Sequence, residues 1–376
     1  MKLHTISKLG GILSVILFLI GVGMYGFAKL SEAGDGKNID LLSLVPSSSI
    51  RVLETDNLDY FANEFPLTSY AEDLKDIGQS DVVNSILSNI LHFSKVEAHR
   101  LGNQMNHLMI SFHNPEEVNN VVVYFKMSNE SKKLLGKIFA EKENISSPKK
   151  EKYRGEEIVI FPFRKTYFIA VYSGKGFLAV SYQKRLIEEV IDAEKDKTSL
   201  RYDENFSKIQ RHKSANYMTL YGRTAAVPFL CPGQSQAWNE FDIHLNSDVF
   251  YMSGRMYASQ ECLLQAQEQL KGIQMKSDNN FLLVSGQHQV DSCISEAIVS
   301  PHDMLFDECV STLSRDASYI MVADLEQVAE NMEEYSLFLP EFVRRDIEQF
   351  RPFILSVQVT KLQDRLSHIL VFTYKN

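Results

Sequence analysis

The sequence predicts an α+β fold behind an amino-terminal transmembrane helix. The body is predicted to contain two units, and one interpretation is that they arose by duplication. Three observations indicate this. A charge-free apolar run covers residues 9–28. Segments that alternate apolar and polar residues recur through the rest of the chain, as in half-buried strands. Amphipathic helical spacings follow groups of these segments without the regular alternation of a parallel α/β fold.

Residues 9–28 are interpreted as a membrane anchor. At about 1.5 Å per residue this run reaches roughly 30 Å, the thickness of the hydrocarbon core. Lys2 and Lys8 precede it, so residues 1–8 are expected in the cytoplasm and the body outside it. A cleaved signal peptide is the alternative, because residues 26–28 form a small-x-small site. The expected location is the inner membrane, single pass, with the body facing the periplasm.

The first half of the body is predicted from its local patterns. Residues 29–45 form a linker rich in turn-forming residues, and residues 46–212 form the first α+β unit. Strands are predicted where apolar residues alternate or β-branched residues cluster, at 50–54, 95–100, 107–113, 121–127, 157–161, 167–172 and 177–182. Helices are predicted where apolar residues recur every three or four positions, at 58–62, 81–93, 134–139 and 183–193. Residues 144–152 are polar and basic, and they predict an exposed loop.

Residues 213–376 are predicted to form the second unit. Phe241, Ile243 and Leu245 alternate with Asp242 and His244, which indicates a half-buried strand that turns into the next one. The predicted strands are 241–245, 249–257, 281–285, 354–360 and 366–374. The predicted helices are 262–270, 325–332 and 340–350.

An internal repeat supports the duplication. Residues 46–58 and 314–325 each contain a polar turn, a strand and an acidic residue before a helix, and residues 213–222 are a weaker third copy.

The same residues carry a resemblance. The apolar leader is followed by LLSLVPSSSIRVLETDNL at 41–58, GFLAVSYQKRLIEEVI at 176–191, DENFSKI at 203–209 and SANYMTLY at 214–221. In these features the chain resembles an uncharacterised family of membrane-anchored envelope proteins of Bacteroidetes-type bacteria. The resemblance implies an envelope location and a repeated α+β fold, and it implies no catalytic residues.

Charge and cysteine content exclude some classes of function. A net charge of -9 argues against a nucleic-acid partner, which requires a basic face. Cys231, Cys262, Cys293 and Cys309 contain no CxxC pair, which argues against the common zinc and thioredoxin-type patterns. Four cysteines allow three disulfide pairings, and buried free thiols are the alternative.

Two sequence motifs resemble catalytic or cofactor signatures, and both have structural explanations. Residues 21–26 fit GxGxxG, but they lie inside the apolar run, where neither a strand nor an acidic residue supports a dinucleotide site. Ser181 and Lys184 fit SxxK, and residues 277–279 fit SDN, as in penicillin-recognising serine enzymes. A KTG strand is missing, and Ser181 is expected to cap the following helix.

The remaining candidates are weaker. The histidines show no HExxH, and a metal site would require the fold to bring His92, His99, His107 and His113 together. The basic residues Lys149, Lys150, Lys152 and Arg154 are expected to be solvated, with an anionic lipid or an acidic partner as the alternative. Trp238 and the other aromatic residues are expected either to line a binding groove or to fill the core, and the second is the more common role.

These observations leave the catalytic residues unknown and predict neither a metal nor a cofactor. The first functional hypothesis is a non-enzymatic envelope scaffold or binding module, held to the membrane by its helix and partnered by another envelope protein. The alternatives are a hydrolase whose site is dispersed through the fold and a carrier of an apolar ligand.

Overall fold

The chain forms two compact units in the computed structural model. The model describes residues 39–57, 60, 63–74, 107–114, 120–126, 149–163, 167–209, 218–223, 238–257, 259–273, 276–278, 280–285, 304–314, 316–362 and 365–375. The first unit contains the described residues up to Tyr60 and those between 107 and 207. The second unit contains residues 63–74 and the described residues from Lys208 onward.

Antiparallel strands are the main elements of the described residues. In chain order the strands are β1 Arg51–Thr55, β2 Leu108–Phe112, β3 Val121–Lys126, β4 Lys149–Tyr153, β5 Glu156–Phe163, β6 Tyr167–Gly174, β7 Phe177–Ser181, β8 Met218–Gly222, β9 Trp238–Leu245, β10 Val249–Tyr257, β11 Lys276–Asp278, β12 Phe281–Ser285, β13 Tyr319–Asp324, β14 Phe353–Lys361 and β15 Leu366–Tyr374. The helices are α1 Ala71–Leu74, α2 Lys184–Asp196, α3 Gln260–Lys271, α4 Met304–Ser311, α5 Leu325–Glu330, α6 Met332–Tyr335, α7 Glu341–Arg345 and α8 Ile347–Phe350.

The predicted α+β class is wrong, because antiparallel sheet dominates the described residues and the helices are few and mostly short. The helices predicted at 325–332 and 340–350 are each interrupted, at Asn331 and Asp346, where the backbone leaves helical dihedral angles. Apolar spacing indicates which side of a segment is buried, but it does not show where the backbone leaves the helix.

The predicted transmembrane helix is also corrected. We find no helix among the described residues that is long and apolar enough to cross a membrane, and residues 9–28 lie outside that part of the chain. This finding contradicts the signal anchor and the single-pass inner-membrane location with a periplasmic body, so we do not retain them. The predicted elements at 81–93, 95–100 and 134–139 also lie outside the described residues.

The predicted duplication is not retained either. The two segments compared in the sequence contain β1 and β13. In chain order β1 is the first described strand of the first unit, whereas β13 is the sixth described strand of the second. The compared segments therefore differ in their place along the chain of each unit.

The first unit contains strands in the order β1-β2-β3-β7-β6-β5-β4. Its central strands β2 and β7 are buried along their whole length, so both sheet faces are covered there. α2 packs against β7, β6, β5 and β3. It buries Leu186, Ile187, Val190 and Ile191, which lie on one side of the helix. The strands predicted at 107–113, 121–127, 157–161, 167–172 and 177–182 and the helix predicted at 183–193 are confirmed.

The basic segment predicted as a loop is partly the strand β4, which lies at the end of this order. Lys149 forms an ion pair with Glu151, and Lys150 forms one with Glu157. Arg154 contacts two carboxylates of α2. Lysine-rich edge strands discourage pairing with other chains. Most of the basic side chains of this segment already form ion pairs within the unit, which argues against their binding an acidic partner.

The second unit contains strands in the order β11-β12-β13-β14-β15-β10-β9-β8. Strand side chains point alternately to the two faces of a sheet. One face carries a large apolar cluster that includes Phe250, Phe353 and Phe372 and packs under α1, α3 and α5 to α8. On the other face, α4 covers a smaller apolar cluster on β12, β13 and β14, including Val322 and Ile354. The predicted strands at 241–245, 249–257, 281–285, 354–360 and 366–374 are confirmed.

Residues 63–74 belong to the second unit although the chain visits them before most of the first. Tyr70 is fully buried there, and its ring packs against Phe250 and Phe353 with centroid distances of 5.4 and 5.8 Å. Its hydroxyl donates a hydrogen bond to the Asn246 carbonyl at 3.0 Å. Burial raises the pKa of Tyr70 to about 12, so the hydroxyl remains a donor at neutral pH.

The cysteines divide into two kinds. Cys262, on α3, is disulfide-bonded, whereas Cys309, on α4, is a buried free thiol. Cys231 and Cys293 lie outside the described residues.

We expect reduction of the Cys262 disulfide to lower the free energy of unfolding by about 2–4 kcal/mol, because the crosslink restricts the unfolded chain. Urea unfolding with and without dithiothreitol measures this, and Cys309→Ala should leave the difference unchanged. Peptide mapping after alkylation in urea without reductant should find Cys309 modified and Cys262 unmodified. Modification of Cys262 in that sample would contradict the assignment.

Candidate functional site

The sequence candidates are dispersed. Ser181 donates a hydrogen bond to the Val121 carbonyl and accepts one from the Gln183 backbone amide, so its role is structural. The N-cap of α2 is Gln183, however, and not Ser181 as predicted. Lys184 forms ion pairs with Glu151 and Glu188, so the SxxK residues do not form a nucleophile and base. Residues 21–26 and Asn279 lie outside the described residues.

Of the four candidate histidines, the structure describes His107 and His113. His107 lies 3.5 Å from the Glu54 carboxylate, while His92 and His99 lie outside the described residues. Within the described part of the chain, no group of three or more histidine, cysteine or acidic side chains is placed to hold a metal ion.

His113 belongs to a buried polar cluster in the first unit. Its Nε2 lies 2.9 Å from the Ser111 hydroxyl, which lies 3.1 Å from the Tyr124 hydroxyl. All three side chains are buried, with exposed fractions of 0 to 3%. The His113 Nδ1 has no hydrogen-bond partner among the described residues. A serine beside a histidine resembles an activated nucleophile, but that chemistry needs substrate access and a third group that orients the base.

Protonation of His113 is expected to destabilise the fold. Burial, together with the positive charge of the Arg185 guanidinium, lowers the pKa of His113 to about 4. The unfolded histidine titrates near 6.5, so the stabilisation is complete above that pH and is lost as the pH falls towards 4. The loss is about 3 kcal/mol, at roughly 1.4 kcal/mol per pH unit.

Chemical denaturation at pH 7 and pH 4 tests this expectation. Between pH 7 and pH 4, the loss in the free energy of unfolding should be about 3 kcal/mol smaller in His113→Gln than in the wild type. His244→Gln, at an exposed position, is the matched control and should follow the wild type. An equal loss in His113→Gln and the wild type would show that His113 does not carry the acid sensitivity.

The strongest candidate site is a part of the second unit's sheet that remains accessible. We call it the open face, and it lies on the side of the sheet opposite the large apolar cluster. Cross-strand pairing places its residues in rows over β9, β10 and β15. They are half-buried or exposed, and they are His244, Asp242, Tyr251, Ser253, Arg255, Ser367, Ile369 and Val371.

The open face has aromatic, apolar and charged parts. The rings of His244 and Tyr251 stack with centroids 4.4 Å apart and an interplanar angle of 12°. Ile369 is 39% exposed and lies between these rings and Arg255 along the strand direction. Asp242 accepts a hydrogen bond from the Thr219 hydroxyl at 2.6 Å, which holds its carboxylate at the side of the face.

Arg255 is the charged group of the open face. It is half-buried, and its guanidinium forms no hydrogen bond or ion pair with any residue in the described part of the chain. Its cross-strand neighbours are Glu240, which is 6% exposed, and Ser367, whose hydroxyl donates to the Gly254 carbonyl. The planar set of N–H donors of this arginine is therefore available to a bound molecule.

The sequence contained part of this site. The alternation of Asp242 and His244 with apolar residues identified one strand of the face, whereas Arg255, Tyr251 and Ile369 were missed. Trp238, which the sequence offered as a groove or core residue, is fully buried and lies under the Arg223 guanidinium at 4.5 Å.

Comparison with known proteins assigns the chain to no family. No protein-family model matches the chain, and neither the curated proteins nor the solved structures contain a match. The resemblance to the envelope family stays a prediction.

Proposed function

We propose that this protein is a non-enzymatic binding module that holds a protein partner against the open face of its second unit. The observation that supports this most is the combination on that face of an exposed aliphatic side chain, a stacked aromatic pair and an arginine with no described partner. Tyrosine and arginine are enriched at protein interfaces, where their apolar stems pack and their polar ends form hydrogen bonds.

The hydrolase alternative has less support. In the part of the chain that the structure describes, a serine lies within reach of a histidine at Ser111 and His113, and both side chains are sealed from solvent. A substrate would have to open the sheet core to reach them. The carrier alternative needs a large apolar cavity, and no described feature favours it.

Site-specific photocrosslinking tests the proposal. Benzoylphenylalanine in place of Val371 should form a discrete covalent adduct with one protein in the cells that make this chain. The adduct should disappear when Ile369→Asp is added, because a buried carboxylate would oppose contact with the face. The control places the crosslinker at Tyr202, which is 55% exposed in the first unit. Absence of an adduct at Val371, or equal adducts at both positions, would overturn the proposal.

A further inference from the structure

Resting on the proposed binding function, we infer that the partner presents a short extended segment in which an acidic residue and an apolar residue are separated by one position. Arg255 receives the carboxylate, and Ile369 with Val371 receives the apolar side chain. The segment lies along the strands of the open face.

The guanidinium of Arg255, which has no partner among the described residues, indicates a carboxylate. A guanidinium group binds a carboxylate through two parallel hydrogen bonds. Asp242 on the same face accepts a hydrogen bond from Thr219, and Glu240, the register neighbour of Arg255 on that face, is 6% exposed and forms no ion pair with Arg255 within the described part of the chain. A half-buried cation of this kind gains more from an anionic partner than an exposed one, because water screens it less.

The spacing of the face determines the spacing in the partner. Arg255 pairs with Ser367 in the strand register, and Ile369 follows Ser367 by two residues on the same side of β15. Diagonal neighbours on paired strands lie roughly 7–8 Å apart. In an extended segment, residues i and i+2 point the same way and lie roughly 7 Å apart. An acidic residue and an apolar residue at i and i+2, in either order, therefore match Arg255 and Ile369.

The size of the face favours a segment over a second copy of this chain. The three strands of the face, β9, β10 and β15, are spaced by about 4.8 Å and carry three rows of side chains, so they cover roughly 300 Å². A stable protein interface buries about 800 Å² on each partner. The net charge of -9 also opposes self-association.

Peptide selection on the immobilised full chain tests the inference. The probe is a phage library of random peptides of about twelve residues. Wild-type protein should enrich peptides with an acidic and an apolar residue at i and i+2, and their affinity should fall with salt. Arg255→Met should weaken the best peptide by about tenfold to a hundredfold, and Arg255→Lys should weaken it less, because it keeps the charge but loses the paired hydrogen bonds.

Arg344→Met is the matched control, because Arg344 is exposed on α7, which packs on the opposite face of the same sheet. It should bind the selected peptide like the wild type, and thermal unfolding should show that all three variants are folded. Enrichment without acidic residues, or equal affinity for wild type and Arg255→Met, would overturn the inference. The Val371 adduct would still form in those cases, so the binding function could stand while this partner chemistry failed.

Discussion

Gly254→Ala is expected to disrupt the second unit, because the added methyl group has no room beside the neighbouring strand. A Cβ atom at Gly254 would lie 1.5 Å from the Glu240 carbonyl oxygen and 2.6 Å from its carbonyl carbon. Backbone atoms of the neighbouring strand cannot move aside as a flexible side chain can. We expect a loss of about 3 kcal/mol or more in the free energy of unfolding.

The surroundings of Gly254 increase this cost. His368 is its register partner on β15, is 3% exposed and forms a hydrogen bond with the Glu240 backbone. Burial lowers the pKa of His368 to about 4, so the ring is neutral at pH 7. Displacing the Glu240 carbonyl would remove that hydrogen bond from a histidine whose Nε2 has no described partner.

Urea unfolding followed by tryptophan fluorescence measures the effect. Trp238 is the single tryptophan of the chain and is buried in the second unit, so its emission reports on that unit. Gly272→Ala is the matched control, because a Cβ there would meet only ordinary contacts at 3.6 and 3.9 Å. If Gly254→Ala and Gly272→Ala unfold at the same urea concentration, the close approach of β9 and β10 is not as described.

Tyr70→Ala should have the second large effect, a loss of about 3–5 kcal/mol, because it removes a fully buried aromatic ring from the core. The substitution also leaves the Asn246 carbonyl without the Tyr70 hydroxyl, and it detaches residues 63–74 from the second unit. Tyr70→Phe removes only the hydroxyl and should cost about 1 kcal/mol.

Trp238 fluorescence again provides the measurement, since the ring lies in the same unit as Tyr70. Tyr60→Ala, at a site that is 37% exposed, is the control and should change the midpoint little. A Tyr70→Ala protein whose Trp238 transition matches the wild type would show that residues 63–74 do not stabilise the second unit.

Local patterns in the sequence predicted most of the described strands. The alternation of Phe241, Ile243 and Leu245 with polar residues identified β9, and the apolar spacing from Leu186 to Ile191 identified α2, because each pattern depends only on the geometry of one element. The pattern could not show that residues 63–74 join the second unit, since their partners, such as Phe353, lie nearly three hundred residues later.

The open face could be predicted only in part. Sequence alternation assigns Asp242 and His244 to the polar side of a strand, but exposure of that side depends on where α4 and the other helices pack. Pairing of β10 with β15 brings Arg255 near Ile369, and that pairing joins segments more than one hundred residues apart. Gly254 does indicate one feature of this region, because a glycine inside a strand often marks a close approach of another backbone.

Binding through the open face is tested most directly by the affinity of the crosslinked partner, once isolated, for two matched variants. Ile369→Asp places a carboxylate on the face, whereas Leu264→Asp places one at a 51% exposed leucine of α3, on the opposite side of the sheet. Isothermal titration calorimetry should show the dissociation constant rising about tenfold or more for Ile369→Asp and remaining near the wild-type value for Leu264→Asp. Equal affinity for Ile369→Asp and the wild type would contradict the account.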